Sequence, residues 1–387
     1  MDPSKRTFLR AAGLLVADSI LSHQLRGGDA PRKYSDSRKV LLVILGGVRD
    51  QETFSPEGQI NIPHLANDLV PQSLFYRQLR NEGVTAHFNT TSSILTGTWQ
   101  RVDDWGKLAP TSPTLFEYLR KQAGIPKSDV WVVASNKALT NLIGASSARD
   151  YGPEYGANVV FPKQLLITAV ENALRQGRSR NFADRSKVQA EMEAMLRDNN
   201  YEGLGWTVFD AAEHLDARAR RIIEDAVAAF VQNTGPTSGD ELTYFVSREV
   251  MRAFAPRLLV VIFSDMEAAH FGSYSMYVGG IRTADRLTHQ IWQEVASNDE
   301  YRGRTTMVVL PEFGRDPDGS STNGFFNHRS AEDSCRKTWM MCLGDAVEKP
   351  QTVERPVRHI DLSPTLAQRL GCRMHEARGE RLVEWRV

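Results

Sequence analysis

Three cysteines in 387 residues, Cys335, Cys342 and Cys372, are too few and too odd in number for a disulfide framework. No CxxC spacing marks a zinc knuckle, and Cys342 lies in the apolar run Trp339–Leu343, where a buried, inert thiol is expected. Net charge is also missing: 47 Lys and Arg balance 47 Asp and Glu, without the basic excess that a nucleic-acid-binding surface carries. No apolar run approaches the ~18 residues of a membrane span. Internal repeats and low-complexity tracts are absent too. With 41% hydrophobic and 24% charged residues, the chain has the material for one large α/β domain or two ordinary ones.

The N-terminus has its own character. Ser4-Lys5-Arg6-Thr7-Phe8-Leu9-Arg10 precedes the small-residue apolar stretch Ala11–Ala17, a pattern similar to a twin-arginine export signal. Lys5 stands in place of the first arginine, and Asp18 interrupts the apolar stretch. Residues 24–38 read as a linker. Residues 1–38 are therefore expected to direct the folded protein to the periplasm or beyond, with a cytoplasmic protein as the alternative.

From Lys39 the pattern changes. Lys39–Leu45 is a continuous, partly β-branched apolar run closed by Gly46-Gly47, the signature of a strand buried on both faces. Similar runs occur at Val130–Val133, Leu258–Phe263, Thr306–Leu310 and Trp339–Leu343. Helical patterns lie between them, such as residues 112–120, where Ser112 is placed to cap and Pro113 to start a helix. Alternating strands and helices predict an α/β fold, a mostly parallel central sheet with helices on both faces. The strands at 39–45, 258–263 and 305–310 are expected to be neighbours. Residues 155–245, rich in Ala, Arg and acids, read as a helical insertion on one domain spanning 39–387.

Ligands gather beyond the carboxyl ends of strands in such sheets. There the chain places Arg49 and Glu52, then Asp265, Glu267 and His270, then Glu312 and Arg315 with His328 close behind. A further segment joins His87 to the hydroxyl-rich Asn89-Thr90-Thr91-Ser92-Ser93. Three strand ends that each bring an acid, with histidines beside them, form a donor set for a divalent cation. Mixed nitrogen and oxygen donors suit Zn, Mn or Fe, whereas oxygen alone would suit Mg or Ca. His64, His289, His23, His214 and His375 carry no such local signal.

The order of these segments resembles the alkaline-phosphatase-like superfamily of phosphatases, sulfatases, phosphodiesterases and mutases. The resemblance rests on Ile94-Leu95-Thr96-Gly97 and on His359-Ile360-Asp361-Leu362-Ser363-Pro364-Thr365, and it covers roughly residues 39–372. Three positions depart from it. Gly46 stands where the first metal-binding Asp is expected, His87 where the nucleophile is expected, and Glu312-Phe313 where an Asp-His pair is expected. With those departures the chain is similar to an exported bacterial branch, the domain of unknown function fifteen-oh-one. The shared features are Gly46-Gly47, Glu52-Thr53-Phe54-Ser55-Pro56, a His at 87, and Glu312-Phe313-Gly314-Arg315-Asp316-Pro317 followed by His328.

The resemblance implies a metal-dependent hydrolase of a small anionic phosphate or sulfate ester. Its metal ligands would come from Asp265 (or Glu267 in its place), His270, Glu312 and His328, with Glu52 at the margin. The cation is expected to be Zn, with Mn or Ca as alternatives. His87 is a ligand, a general base or a buried hydrogen-bonded His; Thr91 or Thr90 is a nucleophile unless they cap their helix; Arg49 and Arg315 are anion contacts unless they form surface ion pairs. Loss of the standard nucleophile leaves a non-catalytic binding or assembly protein as the other reading.

Overall fold

A computed structural model of the chain describes residues 37–103, 106–165, 215–233, 238–319 and 324–386. The export-like segment up to residue 36 and most of the expected helical insertion (166–214) lie outside them.

The apolar runs form the sheet. Strands β1 (Lys39–Leu45), β2 (Leu74–Arg80), β3 (Val130–Ala134), β4 (Asn158–Val160), β5 (Leu258–Phe263), β6 (Thr305–Pro311), β7 (Lys337–Gly344), β8 (Gln351–Val353) and β9 (Val357–Arg358) are ordered 4-3-5-1-6-7-2-8, with β9 beside β2. The expected neighbours β5, β1 and β6 are adjacent and parallel. Strand β7, read as one of the buried runs, is antiparallel to both β6 and β2. The chain returns along this strand after its excursion through residues 312–336, so the sheet is mixed but mostly parallel.

Alternation along β1 explains why its run is unbroken. Leu41, Val43 and Leu45 face one core, and Val40, Leu42 and Ile44 face the other. Helices cover both. On the first face lie α3 (Ala217–Asn233), α4 (Gly239–Phe254) and α5 (Tyr274–Ser297), contributing Ile223, Val246, Tyr277, Ile281 and Leu287 among others. On the second lie α1 (His87–Thr96), α2 (Leu115–Ala123) and α6 (Leu362–Leu370), contributing Phe88, Ile94, Phe116, Leu119 and Leu366.

Three details differ from the sequence reading. Helix α2 starts at Leu115 with Thr114 as its cap, not Ser112, because Thr114 and Glu117 satisfy each other's backbone N–H reciprocally. The range read as a helical insertion also contains β4, which pairs with β3 and extends the sheet. Thr90 and Thr91 lie inside α1 rather than capping it; the cap residue is Ala86, and Thr90 donates to the Val84 carbonyl at 3.1 Å while accepting from Asn81. Cys342 is buried in β7, as expected, and burial pushes the thiols of Cys335 and Cys372 up to about 11 and about 12.

Candidate metal centre

Strand register positions the site. Leu45 pairs with Phe263 on one side and Pro311 on the other, so the three chains leave the sheet at one level. The ladder continues a step further, with Gly46 N–H donating to Phe263 O and Glu312 N–H to Leu45 O. Strand β2 runs in the same direction and delivers residues 81–86 and then His87 at the start of α1.

Glu267, in the 3-10 turn Asp265–Phe271 after β5, is the centre of the arrangement. Its Oε1 accepts from Gly47 N–H at 2.8 Å, and its Oε2 accepts from Arg315 Nη2 at 2.6 Å. The same Oε2 lies 3.1 Å from His87 Nε2 and 3.2 Å from His270 Nε2. His270 Nε2 is 3.0 Å from His328 Nε2. Three imidazole nitrogens and one carboxylate oxygen thus converge within 4.8 Å of one another. Donors of one tetrahedral Zn, each about 2.0–2.2 Å from the ion, stand a little over 3 Å apart, so the residues fit such an ion.

The outer nitrogens settle which atoms face the cluster. His328 Nδ1 lies 2.7 Å from the Thr85 carbonyl, which can only accept, so Nδ1 carries the proton and Nε2 presents a lone pair. His87 Nδ1 lies 2.6 Å from Glu312 Oε2, which fixes the ring with Nε2 toward the cluster. His87 Nε2 is buried, makes no well-aligned hydrogen bond and faces Glu267 Oε2 at 3.1 Å, a pair of donors between which a cation could sit. Burial, reinforced by His87 and Arg315, keeps His328 well below its ordinary pKa, and burial also lowers His270. Burial opposes charge on His87 too, yet Glu267 and Glu312 on either side push it up to about 10. Burial likewise opposes charge on Glu267, but Arg315 and His87 hold that carboxyl well below its usual range.

The remaining candidates are placed as follows. Asp265 is not brought into the cluster: its backbone N–H donates to Asp240 Oδ2 at 3.0 Å, and its Oδ2 accepts from Asp240 N–H at 3.3 Å. The turn after β5 points Glu267 inward instead, the substitution that the sequence had left open. Glu312 sits behind His87 rather than among the converging donors, and its Oε1 accepts from Thr91 Oγ1 at 2.5 Å. Glu52 forms a two-point ion pair with Arg49 and accepts from Tyr277 OH at 3.2 Å. Arg49 also reaches Asp318 at 2.7 Å. Arg315 is fully buried and spends its other nitrogens on the carbonyls of Gly47 and Phe325. Both arginines therefore serve partners within the chain, the ion-pair role weighed beside the anion contact.

The sequence reading missed what Gly46 does. A Cβ there would lie 2.2 Å from Glu267 Oε1, so the glycine leaves room for a carboxylate arriving from β5. Gly47 is matched to Phe313, whose ring a Cβ would meet at 2.6 Å. Gly46-Gly47 is the visible signal in the sequence: the absent side chain at 46 makes room for an acid from another strand.

In sequence alone the chain matches no family model and no curated protein. Among solved structures it is similar to a protein in the alkaline phosphatase superfamily from Vibrio parahaemolyticus, at 13% identity over 98% of this chain and 78% of that one, with a TM-score of 0.54. A phosphonate monoester hydrolase from Silicibacter pomeroyi is 15% identical over 89% of this chain and 76% of its own, with a TM-score of 0.55. A multiply substituted alkaline phosphatase, PafA, is 10% identical over 93% of this chain and 100% of its own, with a TM-score of 0.53. At such identities these neighbours establish the fold alone: the chain has an alkaline-phosphatase-like α/β fold.

Proposed function

We propose that the protein is a metal-dependent hydrolase of phosphate or sulfate esters, with the cation held by His87, Glu267, His270 and His328. The observation that carries this reading is the convergence of three Nε2 atoms and Glu267 Oε2 at the carboxyl edge of the sheet, all within 4.8 Å of one another. Three imidazoles and one carboxylate favour Zn, with Mn as the alternative; Ca, which prefers oxygen, suits the set least. When bound, such a cation supplies positive charge against the ester oxygens. Arg315 keeps Glu267 ionised and oriented, and Glu312 holds His87 with Nε2 forward. Thr91 is fully buried and donates to Glu312, so water is the better candidate nucleophile. The neighbours described as a phosphonate monoester hydrolase and an alkaline phosphatase support the reaction class.

The test is elemental analysis of protein purified without added metal, combined with turnover of phosphate, phosphonate and sulfate esters. His270→Ala should lower metal content and turnover together, whereas Thr91→Val should retain turnover. Protein that binds no metal would sink the metal centre. Metal without turnover would favour a non-catalytic binding protein, a reading supported by the commitment of Arg49 and Arg315 to partners within the chain.

We also infer membership of the exported branch, on Gly46-Gly47 and Glu312-Phe313-Gly314-Arg315. Export is tested by fusing residues 1–38 to a reporter active only outside the cytoplasm. Signal should depend on the twin-arginine pathway and fall when Lys5 and Arg6 become Gln; equal signal without the pathway would refute it.

A further inference from the structure

His64, Asp68 and His289 had no signal in the sequence, yet the fold brings them together. Residues His64–Leu69 form one π-helical turn, whose larger number of residues per turn brings residues four apart nearly into line. His64 Nδ1 and Asp68 Oδ2 are 2.7 Å apart within it. His289 lies on α5, fifteen residues beyond Tyr274 and so about 22 Å along the helix from the end nearest the centre described above. Its Nε2 is 3.8 Å from the same Asp68 oxygen.

The two elements are fastened to each other. Buried Asp285, one turn before His289, accepts from the backbone N–H groups of His64 at 3.2 Å and Leu65 at 2.7 Å. The backbone under the three side chains is therefore held by a partner other than the side chains themselves.

We propose that His64, Asp68 and His289 form a second, surface site for a borderline divalent transition ion such as Zn or Ni. One donor atom from each residue lies within 4.8 Å of the others. The separations of 2.7 and 3.8 Å straddle the spacing of just over 3 Å that donors to one such ion require. The imidazole rings are stacked, with centroids 4.4 Å apart and planes 13° from parallel. Two nitrogens and one oxygen select a transition ion over Mg or Ca. Partial exposure of all three side chains lets water complete the coordination. A bound ion would staple the His64–Leu69 turn to α5. Nothing in this proposal depends on the hydrolase reading.

The experiment uses the intact protein, stripped with chelator and equilibrated with Zn alone or Ni alone. The His64→Gln/His289→Gln variant should bind one equivalent less than the parent. It should also lose this site's share of the metal-dependent rise in melting temperature, about 3 °C at a hundredfold excess over its Kd. Asp68→Asn, which leaves both rings in place, should weaken the same equivalent about tenfold or more. His270→Ala should keep this equivalent whatever it does at the buried centre, which separates failure of one site from failure of the other. A double variant that binds as many equivalents as the parent would reduce the triad to a surface ion pair and overturn the proposal.

Discussion

Gly46 and Glu267 compete for one volume: a Cβ at residue 46 would lie 2.2 Å from Glu267 Oε1. The carboxylate at the end of β1, expected from the superfamily pattern, is replaced by one that reaches across from the turn after β5. Because the obstructing atom is the tip of a flexible side chain, Gly46→Ala should fold, with an overpacking loss of about 1–3 kcal/mol. The displaced carboxylate would release Gly47 N–H and its place in the cluster, so affinity for Zn should fall at least tenfold. Gly46→Ala/Glu267→Asp, with its shorter acid, should recover part of that loss. Unchanged Zn affinity in Gly46→Ala, measured by chelator competition, would refute the relationship.

Glu312 is expected to act by holding His87. Truncation to Ala removes the acceptor of both the His87 Nδ1 proton and the Thr91 hydroxyl. Partners of that kind typically change metal affinity 10- to 100-fold, so Glu312→Ala should weaken Zn binding by about that factor. Glu312→Gln, which keeps an acceptor for His87, should weaken it less, and Glu267→Gln should weaken it more. An order in which Glu312→Gln matches Glu267→Gln would make Glu312 a ligand instead.

Arg49 is predicted to be structural. It forms a buried two-point pair with Glu52, and Tyr277 hydrogen-bonds to both residues. Arg49→Ala strands the Glu52 carboxylate and should destabilise the protein by roughly 3–5 kcal/mol. Arg49→Met/Glu52→Gln should recover most of that loss, which denaturant unfolding would read. Additive losses, or a rise in KM with no loss of stability, would return Arg49 to the anion-binding role.

Lys39 gives a prediction about pH. Its ammonium is buried at the start of β1, donates to the Ala255 carbonyl and lies 5.2 Å from the centre of the Tyr301 ring. Burial, opposed by Glu300 and Asp129, pushes it down from 10.5 to about 8. Its folded pKa is thus below its unfolded one, and holding the charge disfavours folding below about pH 8. That penalty, about 3 kcal/mol at most, fades as pH rises from about 8 to 10.5. Lys39→Met should therefore compare best with the parent at pH 7, and its relative stability should decline toward pH 10.5. A pH-independent difference in unfolding midpoint would count against this assignment.

The strand runs were legible because β1, β5 and β6 are covered on both faces, which demands unbroken apolar sequence, and that demand is local. The acids and histidines at their ends were legible for the same reason, since a strand's end is visible wherever its apolar run stops. The choice between Asp265 and Glu267 was not. The two acids are two residues apart, and it is Asp240, from a helix start 25 residues earlier, that engages Asp265 while Glu267 turns inward. His64 and His289 are 225 residues apart and meet where Asp285 and the shared apolar core fasten the His64–Leu69 turn to α5. Orientation in the sheet was equally hidden: Trp339–Leu343 reads as a buried strand whether it runs with β6 or against it. Pattern along the chain determined which elements form and where polar groups leave them. The partners of those groups were decided by register and helix packing, because a buried charge is satisfied by whichever group the fold sets beside it, however distant in sequence.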